Sequence, residues 1–308
     1  MKKTLLFLAL SSLAISLHAQ DYLDVLKVSH GRATFENVDE SDSDVMNNDG
    51  ETEVSNTLVD FLFPIPVSSK VVAVGGFTYE NTRLGLGFND NFRSNLVMTR
   101  LNLGVKITHK KNWTGTYVVL PKIASDFDDL GSDDYQFGAI ALLEKKYTSR
   151  YGLKFGTYVS SENFGTTVTP LLGLWYKSKN RKFYVNAVLP IRADINYTVA
   201  NHFSVGANLL SSIKSYNLSA TADADVPSYV QEESIRFALF AAYGLMDDMI
   251  IIRAKAGFDT TDYSLYAQSD NKITQVLTSQ IGDERTRLNQ EFESALFVGF
   301  DLIWRLDI

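Results

Sequence analysis

The 308 residues carry 29 Lys and Arg against 36 Asp and Glu, a net charge of −7, and no cysteine. Such a chain excludes disulfides, thiolate metal centres and a cysteine-linked lipid anchor, and its acidity argues against nucleic acid as a partner. Its 15 Tyr and 19 Phe are the ring content expected of a protein with aromatic belts at two membrane interfaces.

Taken in chain order, Lys2 and Lys3 open the sequence, an apolar run covers residues 5–17, and Ala19 offers a small residue for cleavage. That is the layout of a secretory signal peptide, 1–20, and the run is shorter than the roughly 20 residues a membrane-crossing helix needs. Its removal would take the net charge to about −9, two lysines fewer. Later apolar stretches are all interrupted by polar or charged residues. Residues 21–308 instead repeat a period of two. In one segment Val97, Thr99, Leu101, Leu103, Val105 and Ile107 share one face, opposite Met98, Arg100, Asn102, Gly104 and Lys106. Tyr151, Leu153, Phe155, Thr157 and Val159 form another such face, opposite Lys154, Tyr158 and Ser160. The last segment sets Phe292, Leu296, Val298, Phe300, Leu302, Trp304 and Leu306 against Glu293, Asp301 and Arg305. Several of these runs reach the length a tilted strand needs to cross a hydrocarbon layer.

Connections alternate in kind. Short polar turns fall near residues 64–69, 109–112, 148–150, 177–181, 200–202 and 245–248, and longer loops at 38–53, 85–93, 125–134, 219–233 and 269–290. Short turns on one rim and long loops on the other describe a bacterial outer-membrane barrel, with both termini on the periplasmic side. Residues 183–199 alternate without a break yet lie between two short turns. Parity then asks for two short strands meeting near Pro190 through a three-residue connection, which would leave the wall low there. The expected fold is all-β: a single-domain antiparallel transmembrane β-barrel of about fourteen strands, with twelve as the alternative.

Several segments together resemble a Bacteroidota outer-membrane barrel family of uncharacterised function. They are residues 56–79 (NTLVDFLFPIPVSSKVVAVGGFTY), YVVLPKIASDF from Tyr117, PLLGLWYKS from Pro170, LPIRADINY from Leu189 and GDERTRLNQEF from Gly282. The resemblance covers nearly all of residues 21–308. It implies the barrel fold and the outer-membrane location, and brings no activity and no site residues.

Enzymatic outer-membrane barrels need a catalytic constellation, usually with histidine. His109 and His202 fall in short periplasmic turns, and His30 is assigned to the polar lumen face beside Arg32, with no Ser or Asp partner readable beside it. No catalytic residue and no cofactor is expected. The acidic loops at 38–53 and 125–134 fail the spacing of a calcium loop, because Val45 and Leu130 stand at required ligand positions, so no metal site is expected. These loops read as a solvated acidic rim able to attract divalent cations that bridge to lipopolysaccharide phosphates.

The face assigned to the lumen is basic. Arg32, Arg100, Lys106, Arg192, Arg236, Arg253, Lys255 and Arg305 lead its cations, with Glu36, Asp60, Glu80, Glu144, Asp194, Asp259, Glu293 and Asp301 among its anions. One reading is a water-filled path with an anion-favouring lining, a passive channel for small solutes. The other is a sealed barrel packed by internal ion pairs that presents its acidic loops as a surface module. The first strand starts close to residue 20 and the last ends at Ile308, so neither a plug domain nor a peptidoglycan-binding domain is expected. The expected partners are outer-membrane lipid, lipopolysaccharide and small solutes.

Overall fold

In the computed structural model, residues 22–36, 51–85, 93–219, 228–267 and 272–307 are described. The proposed signal peptide and most of the first acidic loop lie outside them. The strands are β1 (Tyr22–Glu36), β2 (Glu51–Ser68), β3 (Val71–Gly85), β4 (Arg93–Lys110), β5 (Trp113–Ser125), β6 (Tyr135–Thr148), β7 (Tyr151–Glu162), β8 (Gly165–Lys177) and β9 (Phe183–Leu189). They continue as β10 (Arg192–Ala200), β11 (Phe203–Asn217), β12 (Tyr229–Leu245), β13 (Ile250–Asp259), β14 (Asp262–Tyr266), β15 (Ile273–Val276), β16 (Ser279–Ile281) and β17 (Ala295–Asp307). Strands β1 to β13 pair antiparallel in sequence order, β13 pairs with β17, and β17 closes on β1 from Tyr22↔Asp307 to Ala33↔Phe297. The wall is therefore a closed barrel of fourteen strands, not twelve. β14 continues the line of β13 along β12 after a break at residues 260–261. The tight turns at one rim are made by residues able to take positive φ, such as Asn112 (71°) and His202 (62°).

Because β17 closes on β1, the wall has an inside and an outside, and alternation must divide them. The outside of the lower wall is apolar: Leu103, Leu172, Leu239 and Val298 all stand exposed. In water this would be a continuous hydrophobic surface, far larger than monomeric soluble proteins carry. Rings band the short-turn rim, where Tyr147 stacks on Tyr151 at 5.7 Å, Tyr176 meets Phe183 at 6.2 Å, and Tyr197, Tyr243 and Trp304 point outward.

The polarity of the two faces reverses toward the long-loop rim. Arg32, Glu53, Arg83 and Glu233 occupy the outer face, while Phe35, Val54, Leu84 and Val230 are buried inside. Strands β1 to β4 run 15 to 18 residues, against the roughly 9–11 that cross hydrocarbon. The surplus forms a collar whose exterior is wet and whose interior must be dry. Phe35, Leu96, Met98, Tyr216, Val230, Tyr263 and Leu265 pack there as one core, with Leu288 and Phe292 against it. Its side chains come from β1 to β5 and from β11, β12, β14 and β17, so the core joins facing walls of the collar.

One sector of the wall is short. β9 and β10 meet through a three-residue connection between the paired Val188 and Arg192. Five residues separate Arg192 from outward-facing Tyr197 in the ring belt, so the turn lies about 13 Å above that belt for a strand rising ~3.3 Å per residue and tilted ~40°. An apolar band is about 25 Å tall, which puts the top of this hairpin near its middle. Above it, β8 and β11 lose their partner. The open edge of β8 is covered at Gly165 to Val168 by β15, running parallel to it. Between that cover and Leu172, where β9 pairing ends, stands Pro170, which has no N–H to leave unsatisfied. Upper β11 bends inward and pairs with the end of β5 (Asn217↔Ser125). Glu162 takes the place of the missing strand. Its Oε2 accepts from the Ser215 backbone N–H (2.8 Å) and hydroxyl (3.0 Å), and its Oε1 accepts from Lys122 (2.6 Å) and Ser160 (2.6 Å).

Candidate functional site: the lumen and the low wall

Strand parity places the sequence-assigned residues individually. Arg100 and Lys106 on β4, Arg192 on β10, Arg236 on β12, Arg253 and Lys255 on β13, and Arg305 on β17 share the parity of the buried inner face. Arg32 does not. It sits opposite outward-facing Val298, exposed, with Glu53 at 3.3 Å on the outer surface of the collar. His30 is corrected with it: its ring lies 5.8 Å from that of Phe300 on the outer face, and its Nδ1 is 2.9 Å from the Thr57 hydroxyl. Leu26 and Val28 already have this outward parity, and the charges above them are on it because the collar's exterior is wet.

Four of the inner cations are neutralised in place. Arg236 is held by Asp259 (2.5 Å), Arg253 by Asp194 (2.9 Å), Lys255 by Asp301 (2.5 Å) and Arg305 by Asp24 (2.6 Å). Asp301 is fully buried and is also approached by Lys27 at 3.6 Å. Higher up, Lys214 bridges Glu80 (2.6 Å) and Glu232 (3.1 Å) across the barrel, and Lys122 meets Glu162. Pairing of this kind is how charge survives burial. Arg100 donates instead to Asn102 and Thr78, both at 3.3 Å. Lys106 and Arg192 have no carboxylate within 4 Å among the described residues. Lys154 has one hydrogen bond, to Asn186 at 2.6 Å, reaching across β8 near Gly173.

Sequence reading missed Glu162, Glu232 and Asp24. The first follows Ser160 on the inner parity of β7 and could have been found by extending that face by one step. Glu232 was assigned to a long loop at 219–233, whose last five residues are in fact the start of β12. Likewise the expected loop at 269–290 contains β15 and β16. This segment forms a strap on the low sector. Gln275 bonds to Gln231 (3.2 Å) and Glu233 (2.8 Å) on the outer face of β12, and Arg285 donates to the Tyr229 hydroxyl (2.9 Å) and Gln231 (2.8 Å). Arg287 forks onto Asp262 (2.6 and 2.7 Å), and Asn289 caps the free edge of β14 at Leu265 and Tyr263. The hydrogen bond from Arg285, first, and its charge hold the Asp283 carboxyl below the usual carboxylate range.

Of the acidic rim, residues 37–50 lie outside the described residues. In the second acidic loop, Asp126 accepts from Ser219 (2.8 and 2.7 Å) and Asp134 from Gly131 and Asn217, so these carboxylates serve the loop's own structure. His202 is 2.9 Å from Asp248 at the short-turn rim, and His109, in the last turn of β4, is 3.0 Å from the Tyr117 hydroxyl.

No protein-family model and no curated protein matches the sequence. Among solved structures the chain is similar to the COG4313 outer membrane channel from Pseudomonas putida F1, at 9% identity and a TM-score of 0.43 over 92% of this chain and 96% of that one. A Pseudomonas aeruginosa FadL homologue gives 9% identity and a TM-score of 0.43 over 92% and 90%. The NanC porin gives 12% identity and 0.33 over 91% and 100%. Likeness at this level carries no argument about activity or membership, and no Bacteroidota origin or family emerges from it.

Proposed function

We propose that the chain is an outer-membrane transport barrel that passes small solutes passively between the periplasm and the low sector of its wall. The observation that carries this reading is the low sector itself: the β9–β10 hairpin ends at Val188 and Arg192, so upper β8 and β11 lack a wall partner there, while a buried core joins the walls further out. A solute in the lower lumen, lined by Arg100, Lys106, Lys154 and Arg192, would leave sideways once the β15–β16 strap moves off the edge of β8. The outer-membrane location is supported by the apolar lower wall and its ring belt. Outer-membrane lipid and lipopolysaccharide are the partners such an exterior implies, and membership of the Bacteroidota family resembled by the sequence belongs to the same proposal.

The test uses the absence of native cysteine. Thr166 and Thr274 are exposed register partners on β8 and β15, so a Thr166→Cys/Thr274→Cys protein can be locked by oxidation. In planar bilayers the reduced protein should give anion-selective conductance steps, and the oxidised protein should fall silent until dithiothreitol restores it. Silence in both states, in protein shown to be folded by heat-shifted gel mobility, would sink the reading. A second reading would then stand: a closed structural or surface barrel presenting acidic loops. It is favoured by the packed collar and the neutralised charges at Asp24, Asp194, Asp259 and Asp301.

A further inference from the structure

We infer that Lys106, Lys154 and Arg192 form a binding site for an oxyanion, a carboxylate or phosphate group attached to an apolar body. The inference deepens the transport reading, on which the site's part in passage rests, although binding itself needs no conduction.

At Arg236, Arg253, Lys255, Lys214 and Arg305 the lumen's cations are matched with carboxylates at 2.5 to 3.1 Å, and Arg100 is held by Asn102 and Thr78. A barrel built only to be sealed has reason to do this everywhere, because an unpaired charge in a partly buried space is costly. At the top of the low hairpin it is not done. Arg192, Val188, Gly173 and Lys154 form one register row on the inner face of β10, β9, β8 and β7, and Lys106 on β4 is within electrostatic range of Lys154. The one carboxylate near them, Glu144, is the direct register partner of Lys154. It is turned instead to Nε1 of Trp175, at 3.1 Å. The Trp175 ring gains room for this because Gly152, its register partner, has no side chain for the ring to strike. Among the described residues Lys154 has one hydrogen bond for its three donors, and Arg192, exposed on inner-face parity, has no carboxylate within 4 Å. Planar, forked donors beside two ammonium groups suit an oxyanion.

The surroundings indicate what is attached to that group. Across the inner face Arg192 is flanked in register by Val188 and Leu210, and Leu210 is 37% exposed although it faces the lumen. Immediately above lies the turn of the low hairpin, with Leu189 and Leu172 exposed on the lipid side. An anion with a hydrocarbon portion meets both surfaces at once. Two sources carry that chemistry, a free amphiphilic solute and the headgroup of a neighbouring lipid.

The experiment is calorimetric titration of the full refolded chain in neutral-detergent micelles with inorganic phosphate and with octyl phosphate. Both should bind the wild type saturably, octyl phosphate more tightly. Lys154→Gln/Arg192→Gln should weaken both by about tenfold or more, as expected from losing charge-assisted hydrogen bonds. Lys154→Arg keeps the charge and should retain binding, which separates a site from a folding defect. Arg32→Gln, on the outer surface of the collar, should leave affinity unchanged. In nanodiscs, competition by phosphatidylglycerol but not phosphatidylcholine would identify the headgroup source, and indifference to lipid the free solute. No saturable binding by folded wild type, or equal binding by the double variant, would overturn the inference. Binding without conductance would keep this site and remove the channel, and conductance without binding would do the reverse.

Discussion

Asp301 on β17 is fully buried and faces Lys255 at 2.5 Å, Lys27 at 3.6 Å and Arg253 at 3.9 Å. A single carboxylate thus offsets three cations from the two neighbouring strands, β1 and β13, and removing it strands them in a space with little water. Asp301→Asn keeps the volume and deletes the charge. Its expected cost is about 3–5 kcal/mol of unfolding free energy, the range for breaking one side of a buried pair, read from urea titration of tryptophan fluorescence in micelles. A loss below 1 kcal/mol would mean that water reaches these cations freely. That Asp301 and Arg305 face inward was readable from alternation, because Leu302 and Trp304 between them are plainly lipid residues. That Lys27 joins Asp301 was not, since pairing depends on the register between the first and last strands. The same limit explains Arg32, whose residue type suggested the lumen while its parity put it outside.

At the scale of elements, the inward bend of β11 rests on Glu162, which satisfies the Ser215 backbone and neutralises Lys122. Within hydrocarbon an unpaired strand edge is not tolerated, so the bend and the carboxylate need each other. Glu162→Ala should raise amide hydrogen exchange over residues 211–217 by an order of magnitude or more relative to β1–β3, given the ~3–5 kcal/mol at stake. Uniform protection across the barrel would show that β11 holds itself there. The strap has its own clamp in Asp283 and Arg285. The Asp283 carboxyl is lowered in the folded protein by the hydrogen bond from Arg285, so its stabilising contribution is complete above the unfolded value near 3.9. It is lost as pH falls through the lowered folded value. Exchange in residues 272–287 should therefore stay slow at pH 6 and rise below about pH 4, whereas a flat profile would assign the clamp to Arg285 with Tyr229 and Gln231 alone. The strap lies in a stretch, 269–290, that reads in the sequence as a long loop. β15 has four residues and β16 three, too short for alternation to be seen, and β15 exists because β8 offers it an edge.

For the molecule as a whole, the faces of the strands carry two opposite rules at two heights. Below, the exterior is apolar and the interior charged; above, Arg32, Glu53 and Glu233 are outside and Phe35, Val54 and Val230 inside. A period of two is indifferent to this reversal, which is why strands were legible along their whole length while the assignment of faces failed in the collar. Membrane-length alternation and short turns opposite long loops make the barrel legible in the sequence, and the two short turns flanking residues 183–199 do the same, through parity, for the low hairpin of β9 and β10. These are local properties, set by side-chain period and turn chemistry. Which charges meet inside is not local, since it depends on residues far apart in the chain. Lys214 reaches Glu80, β11 reaches β5, and the strap reaches β8 and β12, matching most of the lumen's charges. They leave Lys106, Lys154 and Arg192 without a carboxylate within 4 Å among the described residues, because their register neighbours are uncharged or, at Glu144, turned to Trp175.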